Sequence, residues 1–256
     1  MKQPASTSSL VCRLLLALLA CCASQASASE PLRVVTEELP PYNMTRDGRL
    51  TGMSTEVVQA VLGHLGLQAD IQSMPWARAY DIALNDENVL IYSIARTHQR
   101  EPLFKWVGEI APMHWYLYAR PDSGIRLASL DDARRYQIAT VMQDAGEQYL
   151  RAKGFKIGQN LQSNNKYSYN YEKFKLGRVD LWISIELNAL YLIRQAGEDP
   201  DQMVVPVLSL PDLGEGGGLN MAFSRQTPDE LVERFRQGLA SIRRDGTYAA
   251  IARKWL

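Results

Sequence analysis

Two hydrophobic periods take turns along this chain. Residues 32–36 form a short apolar run that stops at "EELPPYN", where Pro40 and Pro41 cannot continue a strand ladder. Residues 54–66 then place Val57, Val58, Val61, Leu62 and Leu65 at helical spacing, with Ser54 positioned to cap the helix and Gly66 to stop it. The unit recurs: a strand over 68–74, a helix over 75–85 opening on Pro75, and a buried strand over 88–95. Residues 104–110 and 113–120 read as extended, and "RPDSG" at 120–124 reads as a turn where the chain crosses to a second domain.

A second series follows the turn. Helices are expected over 129–136, 145–155, 167–176 and 186–196, and strands over 137–142, 160–163, 179–185 and 203–208. "LPDLGEGGG" then breaks the pattern as a second crossing or hinge. The end is helical, with Val232, Phe235, Leu239 and Ile242 on one face of residues 228–246 and a further amphipathic stretch over 247–256. Such alternation predicts an α/β fold of mixed, mostly parallel sheets with helices on both faces. The final segment is too short to be a domain, so two lobes are expected: residues 29–118 with the returning 213–256, and residues 119–212.

The first 28 residues change that picture only by leaving it. Lys2 and Arg13 precede an apolar core over 14–20, and Ala26-Ser27-Ala28 offers a cleavage point, the pattern of a secretory signal. Leu18-Leu19-Ala20-Cys21 also fits a bacterial lipobox, which would tether the protein through Cys21. All three cysteines lie in this segment, so cleavage after Ala28 leaves no thiol for a disulfide, a metal or a nucleophile. No later stretch approaches about 18 uninterrupted apolar residues, and the expected place is the periplasm, as a monomer.

Charge narrows the function classes. With 28 basic against 28 acidic residues, the footprint of a nucleic-acid binder is missing. No phosphate loop, nucleophile elbow or zincin motif occurs, and His64, His98 and His114 lack ligand spacing, so no metal or cofactor is expected. The glycines at 214–218 lack the Lys-Ser/Thr that a phosphate cradle needs.

Arginines and aromatics instead gather at the expected C-terminal ends of the first strands, where open α/β sheets place ligand crevices. These are Tyr42, Trp76, Arg78, Arg96, Arg100 and Trp106, with Ser93 in the same strand end as a further candidate ligand-binding residue. A guanidinium holds a carboxylate bidentately, and an aromatic face stacks on a ligand while excluding water. Each also has a plainer reading: Trp76 and Trp106 as core, Arg78 as a solvated helix residue, and Arg96 and Arg100 as a surface pair four apart.

Four motifs in order give the chain a family likeness. "PLRVVTEELPPYN", with "DGRLTGMSTEVVQAVLGHLGL" after it, resembles the opening of the family 3 bacterial extracellular solute-binding proteins of the polar amino acid type. "SIARTHQRE", "GRVDLWIS" and "LASIRRDGTYAAIARKWL" continue the resemblance to the end of the chain. It implies a two-lobe type II periplasmic binding fold that traps a solute by hinge closure and serves an ABC permease or a sensor. It also implies that Arg100, the Arg of Thr97-His98-Gln99-Arg100, grips a ligand carboxylate, and it sets Tyr42 near a first-loop aromatic. Where amino-acid binders carry a Gly-Thr-Thr-like turn this chain has Gln143-Asp144-Ala145-Gly146, and where an Asp pairs with an α-ammonium it has Ile185, with Glu186 the candidate substitute. Arg96 has no counterpart in that pattern, and with Arg100 it suggests a doubly anionic ligand. The expected function is capture of a small anionic solute, amino-acid-like or a carboxylate, without catalysis. The alternative is an enzyme on the same fold, similar to periplasmic cyclohexadienyl dehydratases, with Arg100 as anchor and Glu186 or Asp144 as general acid.

Overall fold

The computed structural model describes residues 32–214 and 217–256. The expected signal, its cleavage point and Cys21 lie outside the described residues, as do positions 215 and 216.

The first sheet contains β1 (Arg33–Thr36), β4 (Ile71–Ser73), β5 (Val89–Ala95), β6 (Phe104–Ala111) and β12 (Leu219–Ser224), in the order β4-β1-β5-β12-β6. Helices α1 (Met53–His64) and α7 (Asp229–Arg244) cover one face, packing Val57, Val61 and Phe235 against Val34, Leu90 and Tyr92. Helix α2 (Trp76–Asn85) covers the other, where Trp76, Ala79 and Ala83 share a core with Val35, Ile91 and Ile94. Both faces are dry, which is why β5 reads as a continuous apolar run and not as an alternating one.

The second sheet contains β7 (Trp115–Ala119), β8 (Ile138–Val141), β9 (Leu161–Asn164), β10 (Leu181–Ile185) and β11 (Val205–Ser209), in the order β11-β7-β10-β8-β9. Helices α3 (Ala145–Ala152), α4 (Tyr167–Lys175) and α5 (Glu186–Gln195) follow β8, β9 and β10 in turn, and the short α6 (Pro200–Met203) precedes β11. Strands joined through helices run parallel in both sheets, as β1 to β4 and β5, and β8 to β9 and β10. One strand in each sheet runs against its neighbours: β12 in the first and β7 in the second. Each arrives from the other lobe and so enters its sheet from the opposite end.

Two expectations change here. Because β7 pairs with β10 and β11, the chain leaves the first sheet at residues 112–114, ahead of the Arg120–Gly124 turn read as the crossing. Hydrophobic pattern cannot say which sheet an extended segment joins. The strand β12, between the Gly run and the terminal helix, had no reading in the sequence and sits within the first sheet; fully buried, it shows no alternation to read. The hairpin of β2 (Met44–Arg46) and β3 (Arg49–Thr51) was also unread, although Asp47 and Gly48 both take the positive φ that a tight two-residue turn needs.

The start of α1 differs as well. Its N-cap is Gly52, not Ser54, and its first amides donate to the loop after β1: Met53 N to Pro41 O at 3.0 Å and Ser54 N to Tyr42 O at 2.9 Å. Helix α1 therefore fastens the loop after β1, which carries Glu37 and Tyr42.

Candidate functional site

The strands deliver their functional residues at their C-terminal ends, on both sides of the cleft. From the first lobe come Glu37 after β1, Trp76 and Tyr80 on α2, and Arg100 after β5; from the second come Gln143 and Asp144 before α3, Gln148 on α3, and Tyr167 at the start of α4.

Arg100 is 1% exposed. Its Nε donates to Gln148 Oε1 at 2.9 Å, one terminal nitrogen to the Gln143 carbonyl at 3.1 Å, and the other to the Ala95 carbonyl at 3.4 Å. The guanidinium lies over the rings of Trp76 and Tyr80, at 5.2 and 4.9 Å from their centroids. Burial lowers its pKa from the ordinary arginine value, opposed by Tyr80 and Asp144. Among the described residues no carboxylate lies within ion-pair distance of it.

Gln143 faces this group with its backbone. Its φ of 63° is left-handed, a conformation that costs a non-glycine residue about 1–2 kcal/mol. The turn is held by Glu147, buried in α3, whose carboxylate accepts from the Gln143 amide at 3.1 Å and from Thr140 Oγ1 at 2.8 Å. The Gln143 carbonyl thereby accepts from Trp76 Nε1 at 2.8 Å as well as from Arg100, joining the lobes at the guanidinium. Gln148 also lines two surface grooves of about 670 and 420 Å³, the first with Tyr80, Leu103 and Arg151, the second with Thr97, His98 and Asp212.

A second cluster sits beside the first. Tyr167 Oη lies 3.3 Å from Glu37 Oε1 and 3.5 Å from Asp144 Oδ2, and all three residues are 3–4% exposed. Burial, then the nearby Asp144, raises Glu37 well above the usual carboxylate range. Burial likewise pushes Asp144 up to about 7, although its cap on α3, accepting the Glu147 amide at 2.6 Å, pulls the other way.

Ser93 supports this cluster from behind. It has a left-handed φ of 60° and donates to Asn43 Oδ1, and Asn43 Nδ2 in turn donates to the Glu37 carbonyl at 2.6 Å. Tyr42 is fully buried at the crossing, donating to the Pro112 carbonyl at 2.9 Å; burial and the nearby Glu186 raise its pKa far out of reach. Glu186 opens α5 half-exposed, 3.7 Å from His114 Nδ1. Further along the cleft Asn188 Nδ2 donates to the Pro40 carbonyl at 2.6 Å, and Arg46 to Tyr191 Oη at 3.1 Å.

Three expected residues stand apart. Arg96 is turned away from Arg100 into a bidentate pair with Glu101, at 2.6 and 2.7 Å, and its side chain is 38% exposed. That pair holds Glu101 below the usual carboxylate range. Trp106 is a packing residue beside Phe104, donating to the Glu101 carbonyl at 3.2 Å with Arg96 over its face. Arg78 is exposed on α2. The two-guanidinium arrangement is therefore replaced by one guanidinium and a carboxylate pair. Glu37, Tyr80, Gln148 and Tyr167 were not singled out from sequence. Glu37 and Tyr167 had the same signal as the others, a polar group at a strand end or helix start.

Among the described residues no cluster of His, Cys, Asp or Glu is placed to hold a metal ion, and no helix is long and apolar enough to cross a membrane.

Known proteins resemble this fold over most of the chain. The L-cystine-binding protein TcyJ of Escherichia coli K12 is 23% identical over 238 residues, covering 84% of this chain and 78% of that protein. An ancestral arginine-binding protein solved with arginine superposes with a TM-score of 0.75 at 21% identity, over 88% of this chain and 97% of that one. A histidine kinase sensor domain with similarity to periplasmic binding proteins superposes with a TM-score of 0.74 at 22% identity, over 88% and 96%. Two lobes around a cleft are the type II periplasmic binding fold that these structures share. The profile of the bacterial extracellular solute-binding proteins, family 3, matches residues 32–256, and the chain belongs to that family.

Proposed function

We propose that this solute-binding protein captures a small, carboxylate-bearing, amino-acid-like solute between its lobes. The observation that carries this reading is Arg100: a buried guanidinium met by neutral acceptors and two aromatic faces, with three of its five N–H groups donated to the protein. Among the described residues no carboxylate touches this guanidinium directly, and its planar fork suits the carboxylate of a solute. The acidic pair Glu37 and Asp144 is the complementary half, suited to the solute's ammonium. Arg96, engaged with Glu101, gives no support to a doubly anionic ligand. Tyr42 and Glu186 line the crossing side, and Ser93 sets the backbone of Glu37. The lobes close about the two passages between the sheets, one at residues 112–114 and the other between β11 and β12, after export to the periplasm.

TcyJ and the ancestral protein are named for cystine and arginine, which makes these the first solutes to try. Delivery to an ABC permease is the use this family reading favours, with reporting to a sensor as the other; the likeness to a kinase sensor domain supports the latter. Calorimetry and thermal unfolding with L-cystine, L-arginine and succinate test the reading. A probe at 100 times its Kd adds about 2.7 kcal/mol and raises Tm by about 5–10 °C. No shift with any of the three, and no small molecule carried through native mass spectrometry, would reject it.

One observation favours a catalytic second reading. Asp144 is a buried carboxyl with a raised pKa beside a carboxylate anchor, as a general acid for elimination requires. Incubation with prephenate decides: turnover that disappears in Asp144→Asn supports an enzyme, and absence of product removes it.

A further inference from the structure

We propose that Glu37, Asp144 and Tyr167 form a proton-exchange site between the lobes, in which the carboxyl pair holds one proton and releases it to solvent when a cationic group enters. The inference rests on the reading of the cleft as a solute site and adds its regulation.

Hydrogen counting carries it. Tyr167 stands between two carboxyl oxygens, Glu37 Oε1 at 3.3 Å and Asp144 Oδ2 at 3.5 Å, yet a phenol has a single proton to donate. For both contacts to be hydrogen bonds, one carboxyl must carry the second hydrogen. The two carboxyls come from opposite lobes and meet on one hydroxyl, so the site exists only where the lobes are in contact.

The surroundings point the same way. Glu147 faces Asp144 and is a third buried carboxylate, its oxygens taken by Thr140 and the Gln143 amide. Glu38 faces Glu37 and is occupied by Thr45 and Ser73. Arg100 is the cation named for both members of the pair among the described residues, lowering each. Three buried carboxylates against one guanidinium leave the cluster short of positive charge, and a proton is the smallest remedy. An ammonium or guanidinium entering between Glu37 and Asp144 stabilises both as carboxylates and needs the same lone pairs. The proton then leaves to solvent, and capture becomes weaker as the medium turns acid.

Two measurements test this. In protein labelled with ¹³C at the Asp and Glu carboxyls, one resonance, assigned by its loss in Asp144→Asn or Glu37→Gln, is expected to titrate above about pH 6, against about 4 for an ordinary carboxyl. Both carboxyls ionising below about pH 5 would overturn the shared proton, whatever the protein binds. In calorimetry with L-arginine at pH 7 in phosphate and in Tris, the heat difference is expected to report release of about half to one proton in the wild type and near none in Asp144→Asn. Tight arginine binding with no proton released overturns the exchange. Failure of both L-arginine and L-cystine to bind, with a carboxyl still titrating above about pH 6, would instead sink the solute reading and uphold the shared proton.

Discussion

Arg100 and Arg96 are four residues apart and do opposite jobs. Arg100 is desolvated and gives three of its five N–H groups to uncharged oxygens, so part of its binding capacity remains; Arg96 is partly in water and already neutralised by Glu101. Replacing Arg100 with Lys keeps the charge and loses the planar fork and the stacking, and charge-assisted hydrogen bonds are worth about 1.5–3 kcal/mol each. Arg100→Lys is therefore expected to weaken the tightest-binding amino-acid probe by about 10- to 100-fold in calorimetry. Arg96→Ala removes an exposed pair of about 0–1 kcal/mol and should leave that affinity within about two-fold. A large loss in Arg96→Ala would restore the two-guanidinium arrangement. Arg100 was legible in the chain because the Thr-x-x-Arg likeness singles it out. Glu37 was not: in "EELPPYN" nothing distinguishes it from Glu38, and only the fold buries one and leaves the other on the surface.

At the scale of elements, the loop from β1 to α1 shows how local chemistry positions a site. Gly52 has a φ of 116°, and a Cβ there would lie 2.4 Å from the Tyr42 carbonyl oxygen, the acceptor for the Ser54 and Thr55 amides of α1. Gly52→Ala should push the loop off the helix and destabilise the fold by about 1–3 kcal/mol, seen as an earlier midpoint in urea unfolding. An unchanged midpoint would mean the loop does not depend on this close approach. Gly218 is equally confined, with the Ala111 carbonyl oxygen 1.9 Å from where a Cβ would be. It lies where the returning chain enters β12, so this end of the glycine run is a packing requirement more than a loose hinge. Helices and parallel strands were readable because both periods are strong in the sequence. The helix cap at Gly52 and the strand β12 were not, because each depends on a partner distant in sequence.

The whole molecule registers the buried acids as a pH dependence. Asp144 has a folded pKa near 7, against about 3.9 for an unfolded aspartate. Between those values the folded protein keeps a proton that the unfolded chain has lost. Stability contributed by this group is thus present at low pH and declines as pH rises towards 7, with a limiting slope of about 1.4 kcal/mol per pH unit for one proton. Glu37, also raised, acts in the same direction. Asp144→Asn keeps an acceptor for the Glu147 amide and is expected to flatten urea-unfolding stability between about pH 4 and 7 relative to the wild type. A wild type whose stability climbs steadily over that interval would contradict the raised carboxyls.

The sequence by itself determined the fold class, the alternating elements and the family, and its family likeness singled out Arg100 as the candidate carboxylate anchor. Those follow from local periodicity and from motifs that are contiguous in the chain. Tertiary structure decided the rest: that the chain changes sheet at residues 112–114, that β12 inserts between β5 and β6, and that Arg96 pairs outward. It also decided that Glu37 and Asp144, 107 residues apart in the numbering, meet at one tyrosine hydroxyl. Contacts of that kind depend on the energy of burying charge in a shared, water-poor space, and no local pattern of residues encodes which distant groups will share it.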